Sequence, residues 1–497
     1  MKTIKIREIT ILGILAAIAL GGYIWLSSIT FRIGFPLDDA WIHQVYARNL
    51  AQTGEWAFSV GEHSAGSTAP LWSGILSIGH LLKLPTTAWA FLIGWLLLWA
   101  VGTAGYSGFR LLCPSQKTIA ILVGIVMIFE WHLVWAAGSG METLLFALLV
   151  LVVQLILIQF DDPGGNSRRV IVLLIGILVG ISVWVRPDGI TLLGPAVFVI
   201  LFNRNLKGNR LRSFVYLTLG FGIIFASYLL FNWILAGTFW PNTFYAKQDE
   251  YALLQQIPIW KRALDQMYLP LIGVGIILLP GFIFLIYNSI KHRVISEIAI
   301  WLWILGFLLM YAIRLPVIYQ HGRYAIPVMP VYFLLGLVGV FSVIDLRSSK
   351  TLKRVASRSW ALLIGSVLLI FWIVGARAYA LDVAIIESEM VAISKWLAMN
   401  TDPEDLIAVH DIGAIGYYSD RKILDLAGLV SPEVLPIIDD EKALAEFLDQ
   451  NEASYLVTFP DWYPYLADQG EIIYISEGEF SHIIGGENMA VYRWRNR

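Results

Sequence analysis

Of the 497 residues, 58% are hydrophobic and 14% charged, and the mean hydropathy is +0.69, which excludes a water-soluble globular protein of this size. The formal net charge of −2 argues against a nucleic-acid partner. The single cysteine, Cys113, excludes an internal disulfide, and no Cys/His cluster suggests a zinc site.

The first apolar run, Ile9–Phe31, follows Lys2, Lys5 and Arg7; the charges resemble those of a signal peptide, but the run is long and predicts an uncleaved anchor. Further apolar runs lie at Thr86–Leu112, Thr118–Ala137, Leu144–Phe160, Val170–Val185, Ile190–Phe202, Phe214–Leu235, Tyr268–Ile290, Ile298–Ile313, Pro327–Ile344 and Ser359–Ala378. Together they predict an α-helical polytopic membrane protein of about eleven spans. Leu71–Leu82 is too short to cross and predicts a juxtamembrane helix. Basic residues mark every second connection: Arg110 and Lys117, Arg168 and Arg169, Arg204 to Arg212, Lys291 to Arg293, and Arg347 to Arg358. If these face the cytoplasm, the N-terminus does too, and the intervening acid-bearing loops and the C-terminus lie outside.

The first external loop carries adjacent aspartates, Asp38 and Asp39. Neighbouring carboxylates raise each other's pKa, so crowding them at a membrane surface points to acid/base or cation-binding work. Ala40, Val45 and Leu50 share one side of a predicted helix over Asp39–Gln52, lying on the membrane with the aspartates at its start. One aspartate could merely cap that helix, but two exceed what a cap requires. Tyr46, Arg48 and the run Gly61–Trp72, with His63, complete the loop. Most of the Trp and Tyr should form interfacial belts, while Trp41, Trp56 and Trp72 could stack on sugar faces.

Later external turns add further charges. Glu142 either starts a helix or is a third acid on the same face. Arg186 and Asp188 form either an ion pair in a turn or a cation aimed at a lipid phosphate. Lys247, in an aromatic loop, is most simply an interfacial anchor. His321 and Arg323 precede the span at Pro327, where Arg323 either snorkels or offers a bidentate phosphate contact.

From about residue 379 the composition changes, and no spanning run follows. Strand-like segments at Leu406–His410, Lys422–Leu426, Ser454–Phe459, Ile472–Ser476 and Met489–Trp494 alternate with helical ones at Val383–Met399 and Asp440–Gln450. Residues 379–497 therefore predict a small extracytoplasmic α/β domain after a membrane region of residues 1–378. The glycines of Asp411–Gly416 lack the spacing of a dinucleotide fingerprint, and a tight strand-to-helix turn explains them better.

The segments LDDAWIHQVYARNLAQTGEW (37–56), SAGSTAPLW (64–72), GSGMETLLF (138–146), VRPDG (185–189) and HGRYAIPVMP (321–330) resemble, in order and external placement, those of the GT-C glycosyltransferases. These polytopic enzymes use polyprenyl-phosphate sugars and include protein O-mannosyltransferases, lipid A aminoarabinose transferases and the mycobacterial terminal arabinofuranosyltransferase. The first segment is most similar to the last of these, with Asp39 where mannosyltransferases usually have Glu. Residues 409–432 resemble the end domain of many bacterial members. The resemblance implies transfer of a hexose or pentose, with inversion, from a polyprenyl-phosphate donor to a cell-envelope glycan, lipid or protein. It implies Asp38 as general base, Asp39 orienting the acceptor, and Glu142 as a further acid. Arg323, Arg186, Lys247 and His321 become donor-phosphate candidates, and Tyr46, Arg48 and His63 acceptor-binding ones. A divalent cation, Mg or Mn, on Asp38 and Asp39 is the other use of that pair; no other cofactor is indicated. A tail groove between spans is expected. The competing class is a transporter or lipid flippase, whose repeated halves or broken helices with midplane charges are not visible in this sequence. A membrane sensor with a ligand-binding C-terminal domain is a third.

Overall fold

The computed structural model describes residues 6–114, 116, 119–161, 168–344 and 349–494; Lys2, Lys5, Lys117 and Arg347 lie outside them. Among the described residues every apolar run falls mainly on helix, the run Tyr268–Ile290 being interrupted by a turn at Ile272 and Gly273. Among the described residues, seven helices are long and apolar enough to cross a membrane: Ile6–Thr30, Thr86–Leu112, Arg210–Ala236, Val274–His292, Ile295–Arg314, Tyr319–Val343 and Thr351–Asn400. The bent pair Ala120–Phe129 and Trp131–Gly138 makes an eighth if it is one span, and Thr143–Ile158, Arg169–Val185 and Pro187–Phe202 are shorter apolar helices.

The bent pair turns by 56°, which corrects the expectation of unbroken helices. The break falls at Glu130, whose carboxylate accepts from the Leu133 amide (3.1 Å) and pairs with His132 Nδ1 (2.8 Å). Backbone freed in an apolar interior must be satisfied internally, and Glu130 does so here. Elsewhere, close helix approach depends on absent side chains. A Cβ at Gly176 would lie 2.5 Å from the Leu217 carbonyl oxygen, and one at Gly220 2.4 Å from that of Leu173; this is the small-residue contact by which membrane helices associate.

The most enclosed helix is Met329–Val343, buried at every residue from Met329 to Phe341. It fixes the loop that precedes it. Thr351–Ser388 packs along Ile6–Thr30 and runs without interruption across residue 378, so the polar domain grows directly out of a crossing helix.

Asp39–Thr53 is helical but does not lie on the membrane as an amphipathic strip. It is buried continuously from Ala40 to Ala47, between Pro70–Leu81 and Ile412–Tyr418. Its Trp41 ring sits 4.9 and 4.8 Å from those of Tyr417 and Tyr418. The C-terminal domain covers the face that the sequence leaves to solvent.

That domain is a five-stranded sheet in the order Lys422–Asp425, Leu406–Val409, Tyr455–Thr458, Ala490–Arg493, Glu471–Ile475. The first three strands are parallel, and Ala490–Arg493 runs antiparallel to both of its neighbours. Ile407 pairs with Ile423 on one side and Tyr455 on the other. Alternation along a strand splits the core in two. Ala408 and Leu456 pack with Leu444 and Leu448 of the Glu441–Gln450 helix, while Ile407, Val409 and Val457 join the core shared with the membrane helices.

Candidate active site

The first loop places Asp38 and Asp39 at the start of the buried Asp39–Thr53 helix, yet Asp38 makes no side-chain cap there. Its carboxylate instead reaches the C-terminal domain, where Oδ2 accepts from the Gly413 amide and Oδ1 from the Ala414 amide, both at 2.7 Å. The turn at Asp411–Gly416 is the tight strand-to-helix connection read from its glycines, and the anion at its amides is the Asp38 carboxylate. Gly413 permits the approach, since a Cβ there would lie 2.1 Å from the Asp38 carbonyl oxygen. Burial pushes the Asp38 carboxyl up, the two amides pull it down and the Asp39 charge pushes it up again, leaving it at about 6.

Asp39 faces the other way. Its Oδ2 is bonded by Arg323 NH1 and stands 3.6 Å from Lys247 Nζ. Burial would raise this carboxyl, but the Lys247 and Arg323 charges outweigh it and hold it well below the usual range. Arg323 NH2 and Lys247 Nζ both donate to the Tyr324 hydroxyl, at 3.2 and 3.3 Å. Arg323 is 3% exposed, so it does not snorkel. The backbone before it is strained: Gln320 and His321 have φ of 54° and 55°, a conformation costing an L-residue about 1–2 kcal/mol.

A second cluster adjoins the first. Glu142 Oε1 lies 3.5 Å from Arg186 NH1, and Oε2 lies 3.4 Å from His43 Nε2. Burial pushes Glu142 up, but His43 and Arg186 bring it down to about 2. Arg186 Nε meets Asp188 Oδ1 at 3.1 Å, and its NH2 donates to the Tyr311 hydroxyl at 2.9 Å, so the ion pair in the turn is real and extends to a neighbouring helix.

Lys247 and Arg323 stand where two cavities meet. One, of about 500 Å³, is mainly apolar, bounded by Ile190, Trp240, Phe244, Met310 and Leu315, with Glu142 and Arg186 at its polar end. The other, of about 620 Å³, is walled by Asp38, Asp39 and Glu250 on one side and by His410, Asp411 and Trp462 of the C-terminal domain on the other.

Several candidates lie elsewhere. His321 bonds Asp382 (2.7 Å), away from Asp39. Arg48 spends its guanidinium on the Tyr417 and Gly416 carbonyls (2.7 and 3.4 Å), tying two helices together. The Tyr46 hydroxyl is fully buried on Ser64 (2.6 Å) and the Gly66 amide (3.0 Å). His63 is exposed on a two-stranded ribbon outside both cavities. Trp41 and Trp72 are buried packing residues, and Trp56 packs on Tyr46 and Phe231. The Trp41 and Trp72 rings are not free to stack on a sugar, and Trp56 is partly exposed outside both cavities. Asp38 and Asp39 turn to different partners, and among the described residues no group of three or more His, Cys, Asp or Glu is placed to hold a metal ion. Sequence reasoning passed over Tyr324, His410, Asp411 and Trp462. Asp411 stood in the motif read only as a turn, and nothing in the pattern around Trp462 sets it apart.

Residues 382–492 match a family described as Domain of unknown function (DUF8728). No curated protein matches the sequence. Among solved structures, ArnT from Cupriavidus metallidurans bound to undecaprenyl phosphate aligns with a TM-score of 0.60 at 13% identity, covering 97% of each chain. The apo oligosaccharyltransferase of Archaeoglobus fulgidus aligns at 0.62 and 13%, over 92% of this chain and 69% of that one. The AglB oligosaccharyltransferase from Archaeoglobus fulgidus, in complex with an inhibitory peptide and a dolichol-phosphate, gives 0.62 at 12%. These likenesses are of fold, over the membrane helices and the domain that follows them: the chain is a multi-pass membrane protein with the GT-C fold.

Proposed function

We propose that this protein is a membrane glycosyltransferase that moves a sugar from a polyprenyl-phosphate donor to an acceptor hydroxyl on the extracytoplasmic side. The observation that carries the reading is the position of Lys247 and Arg323 at the junction of an apolar and a polar cavity. A polyprenyl phosphate is itself an apolar tail ending in an anion. The apolar cavity would take the prenyl units nearest the phosphate, and Arg323 supplies a planar fork suited to phosphate oxygens. Asp39 keeps the two cations in place and offsets their charge before the phosphate arrives. The neighbours solved with undecaprenyl phosphate and dolichol-phosphate support a lipid-phosphate donor.

In the transfer, the acceptor hydroxyl attacks the anomeric carbon, the bond to the phosphate oxygen breaks, and the configuration inverts. Asp38 takes the hydroxyl proton. At about 6 its carboxyl is ionised at neutral pH, yet more basic than an ordinary aspartate, which suits a general base. The departing polyprenyl phosphate leaves its charge between Lys247 and Arg323.

The test is whether the purified protein consumes a polyprenyl-phosphate sugar, using a panel of hexosyl and pentosyl donors with membrane-extract acceptors and mass spectrometry of the lipid. Consumption of at least one donor is expected, with loss in Asp38→Asn. A transporter or flippase would leave every donor intact, and that result would end the reading.

A further inference from the structure

We infer that the C-terminal domain forms the acceptor half of the site and takes a neutral, hydroxyl-rich sugar, stacked on Trp462 and hydrogen-bonded to Asp411 and His410. The inference rests on the proposed transfer reaction and narrows its acceptor to a glycan or glycolipid. It starts from Asp411, which occupies the N-cap position of Ile412–Tyr418 but makes no cap. Asp38 has taken the Gly413 and Ala414 amides, and Asp411 is left on the cavity wall with a buried Oδ2 that has no hydrogen-bond partner. A buried polar oxygen without a partner is costly, and a ligand hydroxyl would relieve it. Beside it, His410 Nδ1 shares a hydrogen bond with the Tyr463 hydroxyl (2.7 Å), which leaves Nε2 for a ligand.

Trp462 lines the same cavity and is 47% exposed, held edge-on to the His410 ring with centroids 5.3 Å apart. An exposed indole beside unpartnered polar groups matches a ligand with one apolar C–H face and a rim of hydroxyls. The wall also carries more acids than bases: Asp38, Asp39, Glu250 and Asp439 line it beside Lys247 and Arg323, whose charges face Asp39, and burial with the neighbouring acids pushes the Asp411 carboxyl up. Such a wall disfavours an anionic acceptor, while Leu37, Ile42, Ile386 and Met390 supply apolar surface for the C–H faces of a sugar.

Saturation-transfer NMR on the full-length protein in detergent would test this, with neutral methyl hexosides and pentosides, a methyl glucuronide and a Ser/Thr peptide as probes. At least one neutral glycoside should receive saturation, in preference to the glucuronide and the peptide. Trp462→Ala should weaken that glycoside about 3- to 10-fold, Asp411→Ala should weaken it too, and Trp462→Tyr should restore a platform. Affinity for undecaprenyl phosphate should be unchanged in all three variants. Glycoside binding that survives Trp462→Ala, a preference for the peptide or the glucuronide, or no glycoside signal would overturn the inference. Glycoside binding lost in Trp462→Ala, in a protein that fails to bind undecaprenyl phosphate, would support the cleft and sink the donor reading instead.

Discussion

Asp38 and Asp39 are chemically identical neighbours whose surroundings drive them apart. Backbone amides in a buried setting leave Asp38 at about 6, whereas two cations hold Asp39 well below the usual carboxylate range. The assignment of Asp38 as base therefore carries a pH signature. A base works deprotonated, so kcat/KM should rise with pH up to about 6 and then level off. A profile flat from pH 4.5 upward would speak against Asp38. Asp38→Asn should lower turnover by about 100- to 10,000-fold, with undecaprenyl-phosphate affinity near wild type. Arg323→Lys keeps a positive charge and loses the fork, and the loss of a hydrogen bond to a charged group, about 1.5–3 kcal/mol, should weaken undecaprenyl-phosphate binding roughly 10- to 150-fold. Unchanged affinity would remove Arg323 from the donor site.

At the scale of elements, the decisive contact is between two short helices from opposite ends of the chain. Ile412–Tyr418 presents its first amides to Asp38, while Arg48 of the Asp39–Thr53 helix holds the carbonyls at its other end. Gly413 sits in that contact with no room for a methyl group. Gly413→Ala must therefore shift the helix or Asp38. A displacement of about 1 Å can cost on the order of 100-fold in rate, so turnover should fall steeply while undecaprenyl-phosphate affinity, which depends on other elements, stays near normal. Wild-type turnover in this variant would mean that Asp38 does not need the domain. Within the membrane region, Gly220→Leu would press a side chain onto the Leu173 carbonyl; the expected result is a lower melting temperature in detergent, read by intrinsic fluorescence.

For the whole molecule, the basic connections alternate with the acid-bearing ones, so the site and the C-terminal domain should lie outside the cell. In a Cys113→Ser background, His63→Cys and Glu433→Cys should react with a membrane-impermeant thiol reagent on intact cells, and Lys353→Cys should react only after permeabilisation. Labelling of Lys353→Cys in intact cells would reverse this topology. The sequence by itself determined the membrane class, the position of each apolar helix, the five strands of the C-terminal sheet and the motif-bearing loops. Those features follow from hydropathy, periodicity and turn chemistry, which each segment carries along its own length. Only the tertiary structure decided that Asp38 binds amides 375 and 376 residues away, that Arg48 and Tyr46 hold the scaffold, and that Asp411 and Trp462 line the cavity. A hydrogen-bond partner or a cavity wall depends on which surfaces pack together, and no residue type at any spacing along the chain encodes that.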